Sequence, residues 1–172
     1  MAIYKKALLA ALSPALRAQQ FKKLGATWVR DCEEVFCVLN VQTSQWSELY
    51  YFNVGVSVKA LFTGAKPSFY DCHFGERIPQ GDEVEVYGDL ADFSGERPSA
   101  AERIERLADM IPASAVAWFS RHDSAEKLRA RASDSPKTTV ALRHSLNQGG
   151  CAQVREPNHS TEPLSPSRGG SS

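Results

Sequence analysis

The chain has 172 residues, 42% of them hydrophobic and 23% charged, the mix of one ordinary globular domain with some length to spare. Lys plus Arg balances Asp plus Glu at 20 each, which argues against bulk attraction to nucleic acid or anionic lipid. No run reaches the roughly 18 apolar residues that a membrane-spanning helix needs.

The first element reads as an amphipathic helix. Leu8, Leu9, Leu12 and Leu16 form its apolar side, and Lys6, Ser13, Arg17 and Gln20 share the opposite one. Lys5-Lys6 ahead of residues 7–12 resembles the start of a secretory signal. The apolar run is short, however, Pro14 interrupts it and Arg17 follows, so the segment is expected to stay as a helix. Pro14 either kinks this helix or opens a second piece capped by Ser13. Phe21 and Leu24 extend the apolar side, and Gly25 is a natural stop.

The period then changes from helical to alternating. Ala26–Arg30 reads as a short strand, Asp31, Cys32 and Glu33 as a turn, and Glu34–Gln42 as a strand rich in β-formers. Val35, Cys37, Leu39 and Val41 share one face of that strand; Phe36, Val38, Asn40 and Gln42 share the other. A connection carrying Trp46 leads to a third strand, Leu49–Lys59, with Tyr50, Phe52, Val54, Val56 and Val58 opposite Tyr51, Asn53, Gly55 and Ser57. Such short connections imply an antiparallel meander, because parallel pairing needs long crossovers. Beyond a loop at Gly64–Pro67, Phe69–Phe74 and Val84–Tyr87 are expected as further strands.

Helical patterning returns at Pro98. Ser99 with Glu102 makes a capping box, and Ile104, Leu107, Ala108 and Ile111 trace one stripe that Pro112 is expected to end. Two short helices follow, one over Ala113–Arg121 and one from Asp123 to about Ala132. From Ser133 the composition turns to Ser, Pro, Gly, Asn, Arg and His, too poor in apolar side chains to offset the entropy of ordering. The expected organisation is a single α+β domain over residues 1–132, with an antiparallel β-meander covered on one face by the N-terminal helix and the C-terminal helices, and a disordered tail over 133–172.

Two constellations carry chemistry. Asn40, Gln42 and Asn53 lie where antiparallel pairing makes them cross-strand neighbours, with Trp46 in the intervening connection; carboxamides donate and accept, so the group suits a peptide backbone, a base edge or a sugar. The plain alternative is a solvated sheet face. The stretch Tyr70–Arg77 packs an acid, a thiol, an imidazole and a guanidinium together. Cys72 and His73 would point to opposite faces of a strand, which weighs against a nucleophile–base pair. Asp71 and His73 would share a face, with Arg77 near them, yet the spacing is not that of a metal site, and ion pairs commonly imitate catalytic groups. Among the aromatics, Trp46, Tyr50 and Tyr51 lack the interleaved basic residues of a base-stacking platform. Cys32, Cys37, Cys72 and Cys151 contain no C-x-x-C pair and are expected to be reduced thiols of a cytoplasmic protein, with no metal and no cofactor. P-loop, dinucleotide-binding and G-x-S-x-G patterns do not occur.

The order of residues also resembles an uncharacterised, mostly bacterial family, domain of unknown function 4304. The likeness runs from Phe21-Lys22-Lys23-Leu24-Gly25 through Thr27-Trp28-Val29-Arg30. It is clearest in Val38-Leu39-Asn40-Val41-Gln42-Thr43-Ser44-Gln45-Trp46 and Tyr51-Phe52-Asn53-Val54-Gly55-Val56, and it continues at Asp71-Cys72-His73 and Arg77-Ile78. It extends in outline to about Ala132 and leaves the tail outside. Where the family has a tryptophan-rich stretch, this chain has Val84-Glu85-Val86-Tyr87. The resemblance implies a fold and no activity.

Three functions are open on this reading. A module that binds a protein or peptide through Asn40, Gln42, Trp46 and Asn53 fits the missing catalytic motifs, and an immunity- or antitoxin-like role fits by analogy alone. A small-ligand binder or enzyme would use Asp71, His73 and Arg77 around a cleft. Nucleic-acid binding would need a basic stripe that the charge balance does not promise.

Overall fold

The structure is a computed structural model and describes residues 3–78 and 84–134. Helix α1 (Lys5–Ala18) buries Leu8, Leu12 and Leu16, one turn apart, against helix α3. Ser13, expected on the outer side, is buried too. Its hydroxyl donates to the Leu9 carbonyl at 2.6 Å, so the polar group is satisfied within its own helix and its burial costs little. Pro14 lies inside α1 without ending it.

The chain turns at Gln20, which has φ +65°, and Phe21 enters the core. Leu24 does not prolong the helix as expected. Lys22–Leu24 forms a short strand, β1, paired with β2 (Thr27–Asp31). Gly25 sits between them at φ +66°, a conformation in which a Cβ would be strained.

β2 continues into β3 (Val35–Thr43), β4 (Tyr50–Val58) and β5 (Phe74–Ile78), giving a five-stranded antiparallel sheet in the order β1-β2-β3-β4-β5. Its register pairs Val35 with Val58, Cys37 with Val56, Leu39 with Val54 and Val41 with Phe52. That inner face is apolar and covered by α1, α2 (Val84–Ala91), α3 (Ala100–Phe119) and α4 (Ala125–Asp134), which share one core with it. The fold is thus an α+β domain with helices on one face of a meander, as the alternation of β3 and β4 implied.

Three local expectations are corrected. Phe69–Phe74 is not a strand: Phe69–Asp71 is a 3-10 turn, and the strand begins at Phe74 and runs to Ile78. Val84–Tyr87 opens helix α2, whose Tyr87, Leu90 and Ala91 are buried with helical spacing. Pro112 does not end a helix either. α3 runs on through Phe119, with Pro112 among its buried residues, so packing offsets the one backbone donor that proline lacks. The Ser99–Glu102 capping box is present, with Ser99 N–H donating to Glu102 at 2.9 Å and Glu102 N–H to Ser99 Oγ at 3.3 Å. Buried Arg103 ties α3 to the preceding loop by donating to the carbonyls of Pro98 and Arg97, at 2.8 Å each, and to that of Asp89. The expected tail lies outside the described residues apart from Ser133 and Asp134, which finish α4.

Candidate functional site

The outer face of the sheet divides into two halves, and two glycines draw the boundary. Gly55 and Gly75 are paired across β4 and β5. A Cβ on Gly55 would stand 2.7 Å from Cys72 Sγ, and one on Gly75 would stand 3.0 Å from the Phe69 ring. Their absence lets the segment between β4 and β5 lie directly on the strands. Phe62 packs edge-on against Phe36 with ring centres 5.6 Å apart, and the Ser57 hydroxyl reaches the Asp71 carbonyl at 3.3 Å.

His73 fastens this cover. Val58 N–H donates to its Nδ1 at 3.1 Å, and Ser57 Oγ lies 3.3 Å from the same atom. Nδ1 is therefore the unprotonated nitrogen and the neutral ring carries its proton on Nε2. Burial lowers the His73 pKa from its ordinary value. Asp71 turns away to Ser68, accepting from its amide at 3.0 Å and its hydroxyl at 2.6 Å, and those two donors hold its carboxylate below the usual range. The Cys72 thiol donates to the Ser68 carbonyl at 3.4 Å. Burial, with Asp71 beside it, pushes it up to about 12, so it is no thiolate nucleophile at neutral pH. Asp71, His73 and Arg77 are engaged separately: one with Ser68, one with Ser57 and Val58, one with Tyr51.

The other half of the outer face is uncovered and polar. The register places Thr27, Asn40, Asn53 and Arg77 in one row across β2, β3, β4 and β5, with Gln42 and Tyr51 as the next pair. Asn40 donates to Thr27 Oγ1 at 2.9 Å, and Asn53 donates to Gln42 Oε1 at 3.3 Å. Asn53 is only 3% exposed and acts as the floor of the row, while Asn40, Gln42 and Tyr51 are half-buried. The exposed Arg77 lays its guanidinium 3.9 Å from the centre of the Tyr51 ring. Trp46 lies in the β3–β4 connection just beyond the Gln42–Tyr51 pair and is 93% exposed. Beside Tyr51 and Arg77, a cavity of about 220 Å3 opens among Phe52, Ile78, Tyr87 and Ala91.

A second concave region lies at the helical end of the domain and has no counterpart in the sequence reading. Trp118 donates its indole N–H to Glu76 at 2.8 Å and forms a triangle of contacting rings with Phe74, at 5.7 Å, and His122, at 4.1 Å, those two rings being 5.1 Å from each other. His122 is buried, and its Nδ1 donates to the Trp118 carbonyl at 2.7 Å. Burial lowers its pKa, and the positive charges of Arg131 and Arg121 act in the same direction. Glu76, Trp118, Arg121, His122, Lys127 and Arg131 border a cavity of about 530 Å3. Glu76 and Trp118 are 42 positions apart, so no spacing rule could have joined them. Among the described residues no group of three or more His, Cys, Asp or Glu side chains is placed to hold a metal ion, and no helix is long and apolar enough to cross a membrane.

A small α+β domain with a half-covered sheet and a polar, tryptophan-flanked patch is the class that fold and site define. The family model of the domain of unknown function DUF4304 matches residues 12–121, and the chain belongs to that family. A search of curated proteins and a search of solved structures each return no match.

Proposed function

We propose that the protein is a binding module, and that the uncovered half of its sheet recognises another protein or a peptide in the cytoplasm. The observation that supports this most is the row Thr27–Asn40–Asn53–Arg77 with Gln42 and Tyr51 beside it. It combines prepaired donors and acceptors, a guanidinium stacked on a phenol ring and an exposed tryptophan, the residue types that dominate protein interfaces. Fixing Asn53 against Gln42 lowers the ordering cost of binding, since the amides are already oriented. The small cavity beside Tyr51 and Arg77 suits one apolar side chain of a partner. Equal numbers of acidic and basic residues weigh against a phosphate backbone as the partner. The free thiols of Cys32, Cys37 and Cys72 accord with a cytoplasmic setting.

Affinity capture from source-cell lysate with the full chain and its Trp46→Ala/Arg77→Ala variant, compared by quantitative mass spectrometry, tests the reading. A protein retained by the parent and depleted at least about tenfold on the folded variant, the size of a single hot-spot loss, is the expected result. Equal retention by both would remove the function from this face. A second reading, a small-ligand binder, is favoured by the cavity at Glu76, Trp118 and His122, whose volume lies within the usual range of ligand sites. It predicts metabolite-dependent changes in the Trp118 indole resonance that the double variant leaves intact.

A further inference from the structure

Away from both regions, the turn joining β2 to β3 holds two cysteines on the inner side of the sheet. Cys37 is fully buried on β3, opposite Arg30. Cys32 is half-buried in the turn, where its amide donates to the Val35 carbonyl at 3.0 Å. Their Sγ atoms are 3.7 Å apart and unbonded.

The Arg30 guanidinium stands against both sulfurs, with Nη2 3.9 Å from Cys37 Sγ. It is held between aromatic rings, 5.1 Å from the centre of Phe21 and 5.8 Å from that of Phe119. Its Nε is buried without a hydrogen-bond partner, and no carboxylate among the described residues pairs with it. Burial and the neighbouring Cys32 push the Cys37 thiol up to about 12, with the Arg30 cation acting in the opposite direction, so the pairing of the two sulfurs rests on their proximity rather than on a preformed thiolate.

The geometry points to Cys32 and Cys37 as a reversible dithiol–disulfide site, oxidised by a low-molecular-weight disulfide such as oxidised glutathione. Cys32, the more accessible, attacks one sulfur of the glutathione disulfide, forming a mixed disulfide and releasing one glutathione thiolate, which takes up the proton that Cys32 loses. Cys37 then attacks Cys32 Sγ and expels the second glutathione, which accepts the Cys37 proton. Two protein thiols are oxidised, one disulfide is reduced to two thiols, and no proton or electron is left over. Bond formation needs the sulfurs to close from 3.7 Å to about 2.0 Å, a movement of side-chain rotamers at a turn. Because the cysteines are only five positions apart, the bond removes little chain entropy and acts as a switch rather than a staple. It removes both thiol protons beside Arg30 and locks the β2–β3 turn. This site is separate from the proposed binding face and does not depend on it.

The full chain, equilibrated in glutathione buffers of rising oxidised fraction and quenched with an alkylating agent, gives the test. Trypsin releases Asp31–Lys59 with both cysteines and no internal cleavage site. The expected product is that peptide lighter by two hydrogens and unalkylated at either cysteine, reverting when reduced glutathione is restored. Alkylation of both cysteines at the most oxidising ratio, a persistent glutathione adduct on Cys32 with Cys37 still alkylated, or a Cys32–Cys151 link would each overturn the assignment. In Cys37→Ser the reaction is expected to stall at the adduct on Cys32. In Cys32→Ser, Cys37 is expected to remain a thiol, and its oxidation there would overturn the order of attack.

Discussion

The two faces of the sheet are made by the same residues in alternation, yet they are organised by different means. On the inner face Val35, Cys37, Leu39 and Val41 meet Val58, Val56, Val54 and Phe52, and four helices close over them. On the outer face the alternate positions bring Phe36, Val38, Asn40 and Gln42 against Ser57, Gly55, Asn53 and Tyr51. One end of that face is covered by a connecting segment seated on two glycines; the other is left to amides and a guanidinium. Burial on the inner face comes from continuous apolar area, whereas burial on the outer face comes from a few specific fits. Losing a methyl group inside and gaining one outside should therefore both destabilise, for opposite reasons.

The largest expected effect is on the inner face. Leu39 is fully buried on β3, and Leu39→Ala should destabilise by about 2–5 kcal/mol through lost burial and a residual cavity. Urea titration measures it as a lowered midpoint with an unchanged slope. Gly55→Ala tests the outer cover by overfilling it. Its new Cβ would meet Cys72 Sγ at 2.7 Å, so about 1–3 kcal/mol of destabilisation is expected, with faster amide exchange confined to residues 68–73. Were exchange instead to rise evenly over the sheet, the segment would not be the separate cover that the two-half description requires.

His73 sharpens the comparison because its role is polar. His73→Ala strands the Val58 N–H under the cover, while the Ser57 hydroxyl keeps the Asp71 carbonyl as acceptor, for an expected cost of about 1–2 kcal/mol. Its folded pKa is lowered by burial, so the unfolded chain binds the proton more readily than the fold does. The His73 contribution is accordingly complete above the ordinary value of 6.5 and is lost as pH falls through the lowered folded value. His122, shifted the same way and first by burial, adds a second component of the same sign. The acid-side slope of stability between neutrality and pH 5 should flatten in His73→Ala and flatten further when His122 is also replaced. An unchanged slope in the double variant would mean that neither ring is held neutral by the fold.

How much of this was legible follows from how far each signal reaches along the chain. The β3 and β4 alternation was readable because nine-residue strands give several periods, and the Ser99–Glu102 box because it is local. Val84–Tyr87 was misread because two apolar–polar repeats fit a strand as well as a helix; the helical spacing emerges only when Leu90 and Ala91 are included. β1 escaped notice because three exposed residues carry no burial pattern. Proline at 112 was over-weighted, since the burial that offsets its missing donor is a tertiary fact. For the site, the neighbourhood of Asn40, Gln42 and Asn53 followed from pairing. That Asn53 is a buried floor and that Arg77 lies on Tyr51 required the register with β5, whose position the sequence reading had shifted. The Glu76–Trp118–His122 cluster depends on α3 crossing β5, and no local signal marks it.

The smallest expected change in stability belongs to Trp46, and it isolates the uncovered half best. Its side chain is 93% exposed, so Trp46→Ala forfeits almost no burial and should alter the unfolding free energy by no more than about 0.5 kcal/mol in either direction. Its backbone amide donates to Ser44 Oγ at 3.2 Å, a contact the substitution leaves intact. Any weakening of partner binding in this variant must then arise from the lost indole itself, in contrast to Leu39→Ala, where lost binding would follow from lost folding. Thermal unfolding and titration with a captured partner, run on the same sample, separate the two. Unaltered stability with an affinity loss of about tenfold or more is the outcome expected of an interface tryptophan. A large fall in stability would instead make Trp46 part of the packing that holds the β3–β4 connection to Phe93, whose amide donates to the Glu48 carbonyl at 3.0 Å. The polar row of the sheet would then have to account for recognition without it.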